Sequence, residues 1–175
     1  MKPLEPTPVK LFCGILYSDE VLLRKTLDIL FLKYGSPDYQ SVIFPFEFTA
    51  YYEKEMGLPI NRVFYSFSSL INPVALARIK VECIDIETQL AVDGKRKVNL
   101  DPGYMDVHKV VLASAKFEGH KVYLDQGIYA DPTLRYAKGH FTPMSWCFPD
   151  FRSGHYEKPF LLIRERYKIQ LKSKK

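Results

Sequence analysis

The run from Asn72 to Gly94 constrains the fold of this chain more than any other segment. Asn72 can accept a hydrogen bond as a helix cap, and Pro73 falls at the first helical position, where a missing N–H costs nothing. Leu76, Ile79, Cys83, Ile86 and Leu90 follow at spacings of three, four, three and four. That period puts five apolar groups on one face of a helix, so the segment must lie against another apolar surface. The spacing predicts a long helix ending near Asp93-Gly94.

An earlier segment repeats the logic. Val9 to Tyr17 is a short apolar run and reads as a buried strand. Ser18 or Asp19 caps the helix that follows, Leu23, Leu27, Leu30 and Tyr34 form its apolar face, and Gly35 with Pro37 stops it. Ser41 to Phe46 reads as a second strand, Phe46 to Gly57 as a helical excursion, and Val63 to Phe67 as a third strand. Downstream, Val107 to Ala115 carries apolar groups on both faces, as an interior strand does. Glu118-Gly119 reads as a hairpin turn into Lys121–Leu124, and Gly127 to Tyr136 extends the sheet. Phe141 to Gly154 reads as an ordered loop. Phe160, Ile163, Tyr167 and Leu171 fit a terminal helix, although Leu161, Ile163, Tyr167, Ile169 and Leu171 partly alternate as in a strand.

The order strand, helix, strand, strand, helix, strand matches the split βαβ arrangement of ferredoxin-like sheets. The expected architecture is α+β: a mixed or antiparallel sheet, two main helices on one face, an extra hairpin and a C-terminal helix. The 175 residues fit one domain, with residues 1–8 and 172–175 expected to fray. A domain of this size buries roughly 70% of its unfolded surface and needs no covalent staples. Its 12 Tyr and 12 Phe supply large buried areas.

Charge and cysteine usage exclude several classes. The net charge of +5 includes Lys168, Lys172, Lys174 and Lys175 near the end of the chain, and the rest is close to neutral, without the basic stripe of a nucleic-acid footprint. Cys13, Cys83 and Cys147 are far apart and include no Cys-x-x-Cys pair, so neither a zinc ribbon nor a redox motif is expected. Cys13 and Cys83 sit in apolar patterns that fit reduced core residues. The first eight residues do not read as a signal peptide, and no apolar run reaches the ~18 residues of a membrane span. A cytoplasmic address and no membrane partner are expected. No P-loop, no dinucleotide fingerprint, no His-Glu-x-x-His and no nucleophile elbow occurs.

Four segments carry chemistry. Arg96 to Lys109 gathers Asp101, Asp106, His108 and three cations between a predicted helix and a predicted strand. Asp101-Pro102-Gly103 reads first as a tight turn and otherwise as a carboxylate held rigidly at a strand end, with His108 and Lys109 supplying a base and an anion contact. His108 and His120 flank the predicted hairpin, too far apart for a compact metal motif, although the fold can bring either near Asp101 or Glu47. Glu47 and Tyr51, four apart on a helix, share a face that is either solvated or a cleft wall. Asp150 and Arg152 are charges in an apolar neighbourhood, where Arg152 either bonds the loop or grips an anion with two parallel hydrogen bonds. Cys147, beside Trp146, is a candidate nucleophile with no identifiable partner histidine.

In combination, Phe46-Glu47-Phe48-Thr49 with Tyr51-Tyr52 and Glu55-Met56-Gly57, Val98-Asn99-Leu100-Asp101-Pro102-Gly103-Tyr104, Gly127-Ile128-Tyr129-Ala130 and Pro149-Asp150-Phe151-Arg152-Ser153 resemble a bacterial and archaeal family of about this length. It is the domain-of-unknown-function family numbered four-four-one-six. The resemblance covers nearly the whole chain and implies a single stand-alone domain. Such proteins often carry the genome label "GTP-binding", which the missing P-loop and the missing Asn-Lys-x-Asp motif argue against here.

The residues point to a site for a small anionic ligand, such as a nucleotide or phosphorylated metabolite. Asp101, Glu47 and His108 form the candidate catalytic set, and Arg96, Lys109, Tyr51, Tyr104 and Arg152 the candidate ligand-binding set, around one cleft. No metal ligands and no cofactor are assigned. The alternative is a module that binds RNA or a protein partner without catalysis.

Overall fold

The computed structural model describes residues 2–173, and the fraying expected at residues 1 and 174–175 lies outside them. In chain order the elements are β1 (Val9–Tyr17), α1 (Glu20–Tyr34), β2 (Pro37–Gln40), β3 (Phe44–Pro45), a 3₁₀ turn (Ala50–Tyr52), α2 (Glu53–Met56), β4 (Asn61–Ile71), a second 3₁₀ turn (Pro73–Ala75), α3 (Leu76–Gln89), β5 (Val98–Met105), β6 (Lys109–Ser114), β7 (Val122–Asp125), β8 (Ile128–Ala137), β9 (His140–Pro143), α4 (Pro149–Arg152) and α5 (Glu157–Ser173). The result is an α+β fold with five α-helices on a large sheet. Its nine strands run in the order β2-β4-β1-β5-β6-β8-β7, with β3 beside β4 and β9 beside β8. Every pairing is antiparallel.

All nine residues of β1 are buried, because both faces of the strand are covered. Leu11, Cys13, Ile15 and Tyr17 face one side, where Leu30 of α1 and Ile79, Cys83 and Ile86 of α3 close the core. Phe12 faces the other side with Phe64 of β4, Phe151 of α4 and Phe160 and Ile163 of α5. The helical faces read from spacing are the ones turned to the core, with Leu30, Leu76, Ile79, Cys83 and Ile86 buried and Leu23, Leu27, Tyr34 and Leu90 partly so. Asp19 accepts from Leu22 N at 2.9 Å, and Asn72 accepts from Val74 N at 3.0 Å. The ambiguous C-terminal segment is a helix because Phe160, Ile163 and Tyr167, at helical spacing, are all buried.

Several local expectations are corrected. The strand expected over Ser41–Phe46 lies earlier, at β2, with only the two residues of β3 inside the expected range. A polar anchor holds β2: Asp38 takes the buried ammonium of Lys10 and the Ser66 hydroxyl, so no apolar alternation announces it. The helix α3 stops at Gln89, several residues before Gly94, and Val92 and Lys95 then bond each other around Asp93 and Gly94, both at positive φ. Between Phe46 and Gly57 there is only a 3₁₀ turn and the single turn α2, so Glu47 lies outside any helix and does not share a helical face with Tyr51. The loop expected over Phe141–Gly154 contains β9 and α4.

The largest correction concerns Asp101-Pro102-Gly103, which is the middle of β5 rather than a turn. Gly14, Cys13 and Phe12 of β1 stand opposite these three residues. A strand tolerates proline where its absent N–H would meet no partner strand. The neighbour β6 pairs with β5 only from Gly103 onward, and residues two apart direct their N–H groups the same way. Pro102 therefore turns its missing donor toward the same open edge as Leu100. Glycine follows because the space is filled: a Cβ at position 103 would lie 2.6 Å from Phe12 Cζ and 2.6 Å from Val111 O. Gly103→Ala is expected to lower stability by about 1–3 kcal/mol, the usual cost of overpacking, measured as a fall in the urea midpoint at unchanged slope.

Candidate functional site

Gly14 stands opposite Phe64 of β4 on one side and Asp101 of β5 on the other. It leaves a gap in the sheet face that a side chain of β4 uses. A Cβ on Gly14 would lie 2.9 Å from Arg62 Nη1. Through this gap Arg62 crosses the central strand and donates from Nη1 to Asp101 Oδ2 at 2.9 Å. Its Nη2 donates to Asp150 Oδ2 of α4 at 3.3 Å. The guanidinium also lies over the rings of Phe46 and Phe64, at 5.3 and 5.7 Å. Burial pulls the Arg62 pKa down, but the charges of Asp101 and Asp150 outweigh it and hold the cation. Burial pushes Asp150 above the ordinary carboxylate range against the pull of Arg62. Arg62 Nε and the Tyr156 hydroxyl beside this group are buried without a hydrogen-bond partner.

The polar chain continues along β5. Asn99 Nδ2 donates to Asp101 Oδ1 at 3.0 Å, and Asn99 Oδ1 accepts from Arg96 Nη1 at 3.0 Å. Arg96 Nη1 also reaches Glu87 Oε2 at 3.2 Å, while Nε and Nη2 grip Glu55 of α2 at 2.7 and 2.8 Å. Those bonds to Arg96 hold the Glu55 carboxyl below its usual range. Glu87 and Lys80 come from α3 and complete the open edge of β5. Leu100 N donates to Glu87 Oε1 at 2.6 Å, and Lys80 Nζ donates to Leu100 O at 2.5 Å. Burial raises the pKa of Glu87, partly offset by Lys80.

This network is sealed at one end and open at the other. Side-chain exposure is 4% at Arg62, 5% at Asp150 and 4% at Glu87, but 25% at Asp101, 30% at Arg96 and 33% at Glu55. A ligand would meet it at the open end. Tyr52 borders this end, its phenol pKa raised by burial and then by the Asp101 charge. Four carboxylates face three cations here, and every cation is engaged.

Of the candidate catalytic and ligand-binding residues, only Asp101 and Arg96 join this network, and Asp150, singled out as a charge in an apolar neighbourhood, joins it as a partner of Arg62. Glu47 is exposed on the rim of a neighbouring groove of about 540 Å³, lined also by Phe44, Pro45, Phe48, His155 and Tyr156. Tyr51 is exposed and accepts from Lys116 Nζ at 2.9 Å, a bond that lowers its phenol pKa. Arg152 turns to the carbonyls of Ser145 and Cys147, at 3.1 and 2.8 Å. Lys109 pairs with Asp106, and His108 is exposed at the same turn, its N–H donating to Asp106 at 2.7 Å. Tyr104 packs, half-buried, against the cluster of Leu76, Ala77 and Val111.

His120 joins neither Asp101 nor Glu47. It stacks on Trp146 at 5.0 Å with Nε2 3.4 Å from Asp131, in a separate polar cluster with Lys121. The Cys147 thiol is pushed up to about 12 by burial and by Asp150 and Asp131, so it stays protonated near neutrality and is a poor nucleophile. Among the described residues, no group of three or more His, Cys, Asp or Glu is placed to hold a metal ion.

The residues missed in the sequence are Arg62, Lys80, Glu87, Asn99 and Glu55. Lys80 and Glu87 left a usable trace: each directly follows an apolar residue of the α3 face, Ile79 or Ile86, and they lie two turns apart. Gly14 inside the apolar run of β1 was a second trace, since glycine in a strand marks a close approach by another group.

A family model described as Domain of unknown function (DUF4416) matches residues 7–167, from the start of the first strand into α5. No curated protein and no solved structure matches the chain. Among the described residues no helix is long and apolar enough to cross a membrane.

Two outcomes follow from the network. Arg62→Met leaves Asp101 and Asp150 without their shared cation and is expected to cost about 3–5 kcal/mol at pH 7. The loss shrinks in acid, where Asp150, its carboxyl raised by burial, takes a proton, and urea midpoints at pH 7 and pH 4.5 measure both. Glu87, whose pKa is raised in the fold, favours folding most when protonated. Its contribution is complete below the ordinary value of about 4.3 and is lost as pH rises through the raised one. Glu87→Gln removes that titration while keeping an acceptor for Leu100 N. Relative to wild type, the variant should therefore gain stability as pH climbs above about 4.3, read from denaturation midpoints across a pH series.

Proposed function

The chain belongs to the DUF4416 family, and from that premise we propose that it binds a small anionic ligand where the Asp101 network reaches the surface. The observation that carries this reading is the unbroken polar chain from buried Asp150 through Arg62, Asp101, Asn99 and Arg96 to half-exposed Glu55. Ion pairs buried in an apolar core are often no more stabilising than well-packed hydrophobic residues, and perturbed carboxylates cluster at functional sites. Nucleotides, phosphorylated metabolites and carboxylates are the ligand classes. Asp101, with a quarter of its side chain exposed, is the acceptor or base, and Arg96 the anion contact. A P-loop mode of GTP binding has no support, since no such motif occurs.

The strand order β2-β4-β1-β5, with α1 after β1 and α3 after β4, supports a ferredoxin-like reading of this half of the sheet, extended by β6 to β9. Three unpaired, buried cysteines suit a reducing, cytoplasmic compartment. The second reading, a module for RNA or a protein partner, draws on the aromatic group of Phe117, Tyr123 and Tyr129 at the β7 edge, with ring centroids 5.6 and 5.4 Å apart.

A thermal-shift screen of nucleotides including GTP, phosphorylated metabolites and carboxylates tests the first reading. A ligand at 100 times its dissociation constant adds about 2.7 kcal/mol of apparent stability. The expected result is a rise in Tm that Asp101→Asn removes. No shift with any anion, together with salt-dependent binding of single-stranded RNA that Tyr123→Ala weakens, favours the second reading.

A further inference from the structure

Arg96 is held asymmetrically. Its inner nitrogen, Nη1, is fixed by Glu87 and Asn99, both nearly inaccessible to solvent. Its outer edge, Nε and Nη2, carries two parallel bonds to one carboxylate, that of Glu55, on a single helical turn at the surface. The main chain of α2 does not depend on that carboxylate. Met56 is buried with Leu16, Phe46 and Ile60, and its carbonyl accepts from Ser18 Oγ at 2.6 Å and Lys97 Nζ at 3.0 Å. Rotation of the Glu55 side chain alone would free the outer edge, with the guanidinium still locked in place from behind. A guanidinium fixed in this way is pre-organised for a planar, two-oxygen anion.

We propose that Glu55 occupies the position of a ligand's carboxylate, and that the site takes a small carboxylic acid also bearing an amine or hydroxyl donor. The inference rests on the small-ligand reading above and narrows it to one class. The two parallel bonds select a carboxylate in the geometry Glu55 already shows. The donor group meets Asp101, which the Asn99 amide ties to Arg96 through one hydrogen bond at each end. The carboxylates of Asp101 and Glu87 already neutralise the cations here and disfavour a multiply charged anion, so inorganic phosphate is the poorer ligand. Glu55 acts as an internal competitor, and the apparent affinity is reduced by the fraction of molecules in which it holds Arg96.

The test is titration of the full chain, followed by NMR, with a panel of amino acids and hydroxy acids, matched simple carboxylates such as acetate, inorganic phosphate and nucleotides. Glu55→Gln removes the competitor and is expected to bind the donor-bearing acids about tenfold more tightly than wild type. Arg96→Lys keeps the charge but loses the two parallel bonds and is expected to bind them at least tenfold more weakly. Unliganded circular dichroism and Tm confirm that both variants are folded. Should the acids bind equally to wild type and both variants, the exchange at Arg96 is overturned while a ligand site remains. Binding of nucleotides or phosphate without the carboxylic acids overturns the carboxylate class and leaves the anionic-ligand reading standing. If no probe binds wild type or Glu55→Gln, both readings fall.

Discussion

The guanidinium of Arg62 bridges parts of the chain that are far apart in sequence. It starts on β4, crosses β1 over Gly14, and ends on Asp101 of β5 and Asp150 of α4. In water such contacts would be worth little, but here the charges are shielded from solvent and must be met by one another. The arrangement also makes β4, β1 and β5 interdependent. A one-residue shift of β4 or β5 would send Arg62 or Asp101 to the opposite face, and a shift of β1 would close the gap at Gly14 through which they meet. The central register is therefore specified by charge as well as by the apolar alternation around it.

What could be read in the sequence was the part that repeats. The helical faces of α1 and α3, the caps at Asp19 and Asn72, and the apolar strand β1 all follow from short-range periodicity. What could not be read depends on pairings across long stretches of chain. Asp101-Pro102-Gly103 has the local chemistry of a turn, and only its pairing with β1 makes it a strand, with β6 leaving room for Pro102 by pairing from Gly103 onward. Likewise β2 is held by Lys10, 28 residues away from Asp38. The site was half legible for the same reason. Asp101 and Arg96 stood out as polar residues in one segment, whereas Arg62, Lys80, Glu87 and Glu55 look like ordinary surface charges until the fold turns them inward. The candidates Lys109, His108 and Arg152 find local partners instead.

The open edge of β5 illustrates how a helix can substitute for a strand. Glu87 and Lys80 offer an acceptor and a donor to the N–H and C=O of Leu100, as a neighbouring backbone would. An unpaired edge of this kind invites further strand addition, and covering it with a helix prevents that. Because burial raises the pKa of the enclosed Glu87 carboxyl, its titration is coupled to this end of the sheet.

The sheet, finally, is not uniformly bonded. The strands β4, β1 and β5 pair over long stretches, and β6 and β8 do the same, but β5 meets β6 through only Gly103, Tyr104 and Met105. Across that narrow seam the two halves are joined mainly by side chains: Val110, Leu112 and Leu134 against Met105, Phe12 and Phe64, with Phe160 of α5. Directional bonds hold each half together, whereas adhesion between the halves is apolar. Apolar adhesion weakens on cooling, while backbone ladders respond much less. Cold is thus the stress that would part this sheet along a predefined line, leaving two ordered pieces rather than a uniformly loosened one.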